Sequence, residues 1–132
     1  MKNQKEEIEE IQEKLESILI EFSDDPKGIY KMQYKNAVVS EREFTGVGFF
    51  TYFVVPDEFV VIDESKDTSL SWLEFEDEPE LPADFRILVT DGKLDYIEGY
   101  CFSDTWRYGY ENAILVSENN NIRTRVKLKD LL

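Results

Sequence analysis

The stretch FRILVTDGKLDYIEGYCF, residues 85–102, decides the fold that the sequence predicts. Two runs rich in aromatic and β-branched residues flank the dipeptide Asp91-Gly92. An Asp-Gly pair between two such runs is the strongest short-range signal for a β-hairpin, because both turn residues must adopt a positive φ. We therefore interpret Asp91 as a turn former and not as a catalytic residue.

A two-residue turn also predicts which side chains share a face of this hairpin. It pairs Val89 with Leu94 and Ile87 with Tyr96, and it leaves Ile97 on the polar side. The predicted core face then consists of Phe85, Ile87, Val89, Leu94 and Tyr96. One extra residue in the loop would exchange the two faces, so the register is the sensitive step of this interpretation.

Glu98 is a candidate binding residue, because the predicted register places it on the apolar side next to Tyr100. A carboxylate held against a core has a raised pKa and can act as an acid or a base. More often such a side chain reaches water or an arginine from near the end of its strand, because buried carboxylates are rarely left unpaired. Both interpretations stay open for Glu98.

The N-terminal segment predicts one long amphipathic helix within residues 1–25. Its apolar residues recur at steps of three and four positions. This stripe consists of Ile8, Ile11, Leu15, Ile18, Leu19 and Phe22, and the opposite face is predicted to carry Glu6, Glu7, Glu9, Glu10, Glu13 and Glu16. The run DDPKG at residues 24–28 ends the helix.

Residues 30–132 read as strands joined by turns. Residues 30–43 are ambiguous, with a strand predicted from about Ala37. The sequence predicts an α+β fold in one domain, residues 1–132, with the helix packed on a curved, mainly antiparallel sheet of about six or seven strands. A cystatin-like arrangement, in which the curved sheet wraps the helix, is the preferred topology.

Composition excludes several classes of chemistry. The chain has no histidine and a single cysteine, Cys101, which removes histidine-dependent nucleophilic catalysis, histidine zinc sites and zinc ribbons. The sequence therefore predicts no enzyme activity, no cofactor and no metal site. The net charge of −14 predicts repulsion from nucleic acid and from anionic lipid, and attraction of a basic protein partner.

Several features indicate the compartment. The N-terminus lacks an apolar signal core, and no apolar run is long enough to span a membrane. A lone cysteine suits a reducing interior. We therefore expect a cytoplasmic protein, and the sequence predicts no oligomeric state.

Aromatic residues concentrate in the segment CFSDTWRYGYEN, residues 101–112. Tyrosine and tryptophan in a loop anchor many protein interfaces, and they also close the open ends of small cores. Arg107 lies among them, where it either borders an interface or stacks on a ring. The candidate binding residues of this region are Tyr100, Trp106, Arg107, Tyr108 and Tyr110.

The last predicted strand alternates strictly between apolar and basic residues. Its basic residues are Arg123, Arg125, Lys127 and Lys129. This pattern suggests either an anion-binding ladder or cross-strand pairs with acids such as Glu74 and Glu76. We favour the internal pairs, because the many carboxylates of the chain would neutralise the ladder.

Two segments carry a resemblance to a known family. REFTGVGFFTYF from Arg42 and DGKLDYIEGYCFSDTW from Asp91 resemble the shared segments of a small family of uncharacterised bacterial proteins. The resemblance implies a bacterial, cytoplasmic single domain and no particular activity. In size, acidity and lack of catalytic residues the chain is also similar to immunity proteins, as a class, which neutralise toxins.

Two functional hypotheses follow. The first is a non-enzymatic acidic protein-interaction module, for example an immunity protein that neutralises a basic bacterial toxin. The alternative is a small-ligand-binding domain with a pocket between helix and curved sheet. That pocket would be lined by Phe49, Phe53, Tyr96 and Tyr100.

Overall fold

The computed structural model describes residues 3–61, 63–107 and 110–132. These residues form an α+β fold, as predicted, with two helices packed on an antiparallel sheet of eight strands instead of six or seven. The helices are α1 (Gln4–Glu21) and α2 (Ile29–Asn36). The strands are β1 (Val38–Phe44), β2 (Gly48–Val54), β3 (Lys66–Asp67), β4 (Ser71–Phe75), β5 (Ala83–Thr90), β6 (Lys93–Cys101), β7 (Ala113–Asn119) and β8 (Ile122–Lys127), with short 3₁₀ turns at Asp57–Phe59 and Leu128–Asp130.

The sheet is open, and its strand order is β1-β2-β6-β5-β4-β7-β8. The two-residue strand β3 pairs with β5, next to β4, and it raises the strand count above the prediction. The central hairpin β5–β6 therefore links two outer hairpins, β1–β2 on one side and β7–β8 on the other. The edges of the sheet are β1 and β8.

The core lies between the helices and the inner face of the sheet. Alternate residues of the strands are buried there, as in β5, where Phe85, Ile87 and Val89 alternate with more exposed neighbours. This alternation is the period of two that a strand with one buried face requires. From α1 the core receives Leu15, Leu19 and Ile20.

Helix α1 confirms the predicted N-terminal helix, and Asn3 caps it by accepting a hydrogen bond from the amide of Glu6 at 2.9 Å. The prediction was wrong for Glu16, which was placed on the exposed acidic face. Glu16 and its neighbour Gln12 are buried against the sheet. The helix therefore presents a polar pair within its buried stripe.

Helix α2 was not predicted, and it corrects the assignment of residues 30–132 to the sheet alone. The carboxylate of Asp25 accepts hydrogen bonds from the amides of Tyr30 and Lys31, at 3.2 and 3.0 Å. Asp25 of the run DDPKG therefore caps α2, whereas α1 already ends at Glu21, before this run. Tyr30 and Gln33 are the buried residues of α2.

The predicted hairpin turn is present, but its register changes one residue later. Asp91 and Gly92 both have positive φ, and Val89 pairs with Leu94 as expected. A β-bulge at Asp95 then pairs Tyr96 with Leu88. The extra residue lies in the strand and not in the loop, and it reverses the faces of every residue that follows.

Tyr96 and Glu98 therefore lie on the outer face, and the predicted positions of both were wrong. Ile97, which was predicted on the polar side, is fully buried. Glu98 is half-buried and lies across from Arg86 of β5, away from the core. The carboxylate of Glu98 is therefore not forced into the core.

The two segments that carry the family resemblance lie side by side in the sheet. Phe49 of the first pairs with Gly99 of the second, and Gly48 pairs with Tyr100. A Cβ atom on Gly48 would lie 1.8 Å from the carbonyl oxygen of Gly99. Gly48 therefore lies against the backbone of β6, and a Cβ atom on Gly99 would lie 2.4 Å from the ring of Phe49.

Candidate protein-binding face

The outer face of the sheet lies opposite the core and carries a cluster of aromatic rings. The rings of Phe50 and Tyr52 are nearly parallel, with centroids 5.8 Å apart. Tyr96 of β6 packs against both, at 5.7 Å from Phe50 and 5.8 Å from Tyr52. We call Phe50, Tyr52 and Tyr96 the ring cluster. All three side chains are half-buried by their neighbours and remain accessible to solvent.

Carboxylates border the ring cluster in two cross-strand rows. In one row Phe50 lies between Glu43 of β1 and Glu98 of β6. In the other row Tyr52 lies between Glu41 of β1 and Tyr96. Side chains directly opposite each other in an antiparallel pair are about 5 Å apart at Cβ. The acids therefore lie within reach of any group that covers the rings.

The pKa of the Tyr52 hydroxyl reflects the negative charge of the neighbouring carboxylates. Partial loss of contact with water and the charges of Glu43 and Glu41 raise the pKa of Tyr52 above its ordinary value. Tyr96 and Asp95 act in the same direction. These carboxylates would attract a positive group placed over the ring cluster, because nearby opposite charges stabilise each other.

The acids on the outer face of β1 are Glu41 and Glu43. Among the residues that the structure describes, no ion pair includes Glu41 or Glu43. Arg86, the cation across from Glu98, is held by Asp67, whose oxygen lies 3.2 Å from its Nε atom. The negative charge of Glu41 and Glu43 is therefore available to a partner, whereas the charge of Glu98 also acts on Arg86.

The other end of the outer face is neutralised internally. Arg125 of β8 binds Glu74 of β4 at 2.6 Å, and Arg123 binds Glu118 at 2.9 Å. Arg123 also lies over the ring of Trp72, 5.3 Å from its centroid. The internal interpretation of the basic ladder is therefore confirmed for Arg125 and Glu74. It leaves the strands β1, β2 and β6 as the acidic end of the face.

The predicted site residues divide between the two faces. Glu98 and Tyr100 lie on the outer face, where the hydroxyl of Tyr100 donates to Asp84 at 3.3 Å and its ring contacts Phe102. Burial and the charge of Asp84 raise the pKa of Tyr100. Tyr100 therefore borders the ring cluster without belonging to it.

Trp106 and Tyr110 lie in the core, each only 2% exposed. The indole of Trp106 donates to the hydroxyl of Tyr110 at 3.1 Å and packs edge-on against Phe49 and Phe85. Both side chains therefore close the open end of the core as packing residues. They are not surface anchors.

Arg107 stacks on a ring of its own chain. Its guanidinium lies 4.4 Å from the centroid of Phe75, and it binds Asp77 at 2.8 Å and Glu78 at 2.7 Å. Both hydrogen-bonded carboxylates keep the pKa of Arg107 above its usual value. The predicted site residue Tyr108 lies outside the described residues.

The ring cluster itself was missed by sequence reasoning. The signal was present in β2, GFFTYFV, where aromatic residues occupy both faces of the strand. Phe49 and Phe53 account for the core face. In a sheet covered on one side, apolar residues on the second face indicate a surface that another molecule can cover.

The structure also separates the residues of the predicted ligand pocket. Phe49 and Phe53 are buried in the core, whereas Tyr96 and Tyr100 lie on the outer face. Side chains on opposite faces of one sheet cannot line a common cavity. That pocket prediction was wrong as stated, and the β-bulge at Asp95 is the physical reason.

The described part of the chain shows neither a metal-binding cluster nor a membrane-spanning helix. It contains no group of three or more His, Cys, Asp or Glu side chains that is able to hold a metal ion. None of its helices has the length and apolar character needed to cross a membrane. Cys101 is half-buried, and its sulfur lies 3.5 Å from the hydroxyl of Ser103.

Comparison of the chain with protein-family models, with curated proteins and with solved structures finds no match. Function is therefore inferred from the geometry and charge of the outer face.

Proposed function

We propose that this chain is a non-enzymatic protein-interaction module that binds a basic protein through the outer face of its sheet. The observation that carries the proposal is the ring cluster, which is accessible to solvent and bordered by the carboxylates of Glu41, Glu43 and Glu98. Aromatic anchors surrounded by a charged rim are typical of protein interfaces. The helices leave this face uncovered.

Charge selects the kind of partner. The net charge of −14 raises the rate at which a basic protein is encountered, and the unpaired acids on β1 concentrate that attraction at one end of the face. A bacterial toxin with a basic surface is a partner of this kind. The role of an immunity protein that neutralises such a toxin fits the proposal.

The alternative function, binding of a small ligand, has lost its main support. It required Phe49, Phe53, Tyr96 and Tyr100 to surround one pocket, and these residues divide between the two faces of the sheet. Catalysis is not part of the proposal, because the chain contains no histidine that could activate the half-buried Cys101 as a nucleophile.

Affinity capture followed by binding measurements with the purified partner tests the proposal. Immobilised protein is used to isolate proteins from a bacterial lysate at low ionic strength, and each candidate is purified and titrated by calorimetry at low and high ionic strength. We expect a basic partner whose affinity falls as salt rises. The double variant Tyr52→Ser/Tyr96→Ser should bind it at least about tenfold more weakly.

Phe102→Ser is the matched control, because Phe102 is 55% exposed and lies beyond the end of β6, outside the ring cluster. Circular dichroism confirms that each variant is folded. A partner that binds the Tyr52→Ser/Tyr96→Ser variant as tightly as the wild type would contradict the proposed face. Binding that is independent of salt would contradict the electrostatic part.

A further inference from the structure

Cations of this chain repeatedly lie over its aromatic rings beside a carboxylate. Arg107 covers Phe75 and binds Asp77 and Glu78. Arg123 lies over Trp72 and binds Glu118, and Lys66 lies over Tyr30 at 5.3 Å, with the carboxylate of Glu64 at 3.6 Å. In each case a ring and a carboxylate hold one cation together, since the ring face and the acid both attract positive charge.

The ring cluster has the same components without the cation. Phe50 lies between Glu43 and Glu98, and Tyr52 lies beside Glu41. Among the cation–ring contacts of the described residues, none involves a ring of this cluster. The cation across the row, Arg86, is held by Asp67.

From this difference we infer that the ring cluster binds arginine side chains of a protein partner. The guanidinium plane lies on the ring of Phe50 or Tyr52, and its N–H groups donate to the carboxylates of Glu41, Glu43 and Glu98. The inference rests on the proposed function and specifies the chemistry of its partner.

Arginine fits this surface better than lysine does. A guanidinium is planar and weakly hydrated, so it stacks on a ring and still donates several hydrogen bonds at its edge. It can also bind a carboxylate through two parallel bonds, as a rigid fork. The ammonium of lysine is compact and strongly hydrated, and it loses more hydration when it approaches an aromatic surface.

The occupant is therefore a basic segment of another protein. A second copy of this chain carries the same charge of −14, and the arginines on its β8 edge are already paired with Glu74 and Glu118. Self-association would appear as a dimer in analytical ultracentrifugation.

The test compares two synthetic peptides of equal length and charge, one alternating glycine with arginine and the other alternating glycine with lysine. Binding is followed by fluorescence anisotropy, and the aromatic ¹³C–¹H spectrum reports which rings are perturbed. We expect the arginine peptide to bind more tightly, by about two- to fivefold for each ring contact. The signals of Phe50, Tyr52 and Tyr96 should shift upon binding.

Two variants separate the rings from the charges. Phe50→Leu/Tyr52→Leu keeps an apolar face and every carboxylate, and it should abolish the preference for arginine. Glu41→Gln/Glu43→Gln should weaken both peptides. Its matched control is Glu58→Gln/Glu80→Gln, which removes the same charge from two exposed residues outside the sheet and should weaken them less.

The outcomes distinguish the inference from the proposed function. Equal binding of the two peptides, unchanged in the leucine variant, overturns the inference and leaves a charge-driven interaction module standing. Failure of both peptides to bind also overturns it, whereas titration of the purified basic partner decides the proposed function separately. A dimer in analytical ultracentrifugation that the arginine peptide does not dissociate would assign the face to a second copy and overturn the inference.

Discussion

Glu16 of α1 and Arg42 of β1 form a buried, two-point ion pair between the helix and the sheet. The Nη2 atom of Arg42 lies 2.7 Å from Oε1 of Glu16, and its Nε atom lies 3.1 Å from Oε2. Thr51 of β2 and Gln12 donate to the same carboxylate, at 2.5 and 3.1 Å. The pair therefore fixes the inner side of β1 and β2, the two strands whose outer side carries Glu41, Glu43 and most of the ring cluster.

Removal of one member of this pair should destabilise the protein strongly. The side chain of Glu16 is 0% exposed and that of Arg42 is 15% exposed, so Glu16→Gln leaves a largely buried guanidinium without its counter-charge. We expect the free energy of unfolding in urea to fall by about 3 kcal/mol. The control Lys31→Gln breaks the exposed pair with Glu21 and should cost less than about 1 kcal/mol.

The double variant Glu16→Leu/Arg42→Met tests whether the two side chains act as a pair. Because it removes both charges together, it should lose less stability than the sum of the single variants Glu16→Leu and Arg42→Met. Additive losses in the double-mutant cycle would show that the two side chains do not act as a pair.

Gly48 and Gly99 make a close approach that admits no side chain. A Cβ atom on Gly48 would collide with the backbone of β6, which cannot move as a flexible side chain does. Gly48→Ala should therefore cost about 3 kcal/mol or more, at the upper end for overpacking. Chemical denaturation measures the loss.

Gly46, in the turn just before β2, provides the matched control. It has open space around it but a φ of 89°, so Gly46→Ala should cost only about 1–2 kcal/mol of backbone strain. Equal losses of unfolding free energy in Gly46→Ala and Gly48→Ala would show that the close approach of the backbones does not cause the cost at position 48.

The hairpin and the first helix were predictable because their signals are local. Asp91-Gly92 specifies its turn by backbone conformation alone, and the apolar stripe of α1 follows from helical spacing. The bulge at Asp95 has no such signal in the sequence. The bulge depends on which side chains of β6 are more favourably buried. It places Ile97 in the core, on the face that the simple register assigns to Tyr96.

The candidate site was only partly predictable for the same reason. Glu98 and Tyr100 were named, but their face depended on the bulge.

Helix α2 is short and mixed in composition, and its stability comes from contacts that are distant in sequence, such as those of Gln33. Such tertiary contacts override weak local propensity.

Gln33 should be a strong determinant of stability, because its fully buried amide bonds to three backbone groups. It donates to the carbonyls of Gly92 and Phe59, at 2.7 and 3.1 Å, and accepts from the amide of Leu94 at 2.9 Å. Gln33→Ala leaves these groups without partners, and we expect a loss of about 2–3 kcal/mol. Hydrogen exchange at the amide of Leu94 should accelerate.

Asn36→Ala is the control for this change in the same helix. The side chain of Asn36 is exposed, and among the described residues it donates to the carbonyl of Met32 alone. Its removal should change the free energy of unfolding by less than about 0.5 kcal/mol. Equal rates of hydrogen exchange at the amide of Leu94 in both variants would show that Gln33 does not stabilise the Asp91-Gly92 turn.

The pair formed by Arg125 and Glu74 predicts a pH dependence. The hydrogen bond from Arg125 is the main reason why the pKa of Glu74 lies below its ordinary value, although partial burial opposes it and Trp72 also donates to the carboxylate. Arg125→Gln should therefore raise the pKa of Glu74, as measured by carboxyl ¹³C NMR. The contact with Trp72 should keep it from rising fully.

The sign of the effect on stability follows from this shift. A carboxyl group whose pKa is lowered by folding stabilises the protein above its unfolded pKa of about 4.3, and this stabilisation is lost as the pH falls through the lower, folded value. The difference in unfolding free energy between wild type and Arg125→Gln should thus be present at neutral pH and shrink in acid. Lys127→Gln removes an equal charge from the same edge strand and should leave the pKa of Glu74 nearly unchanged. A similar shift in both variants would mean that Glu74 responds to the overall charge of the strand and not to its bond with Arg125.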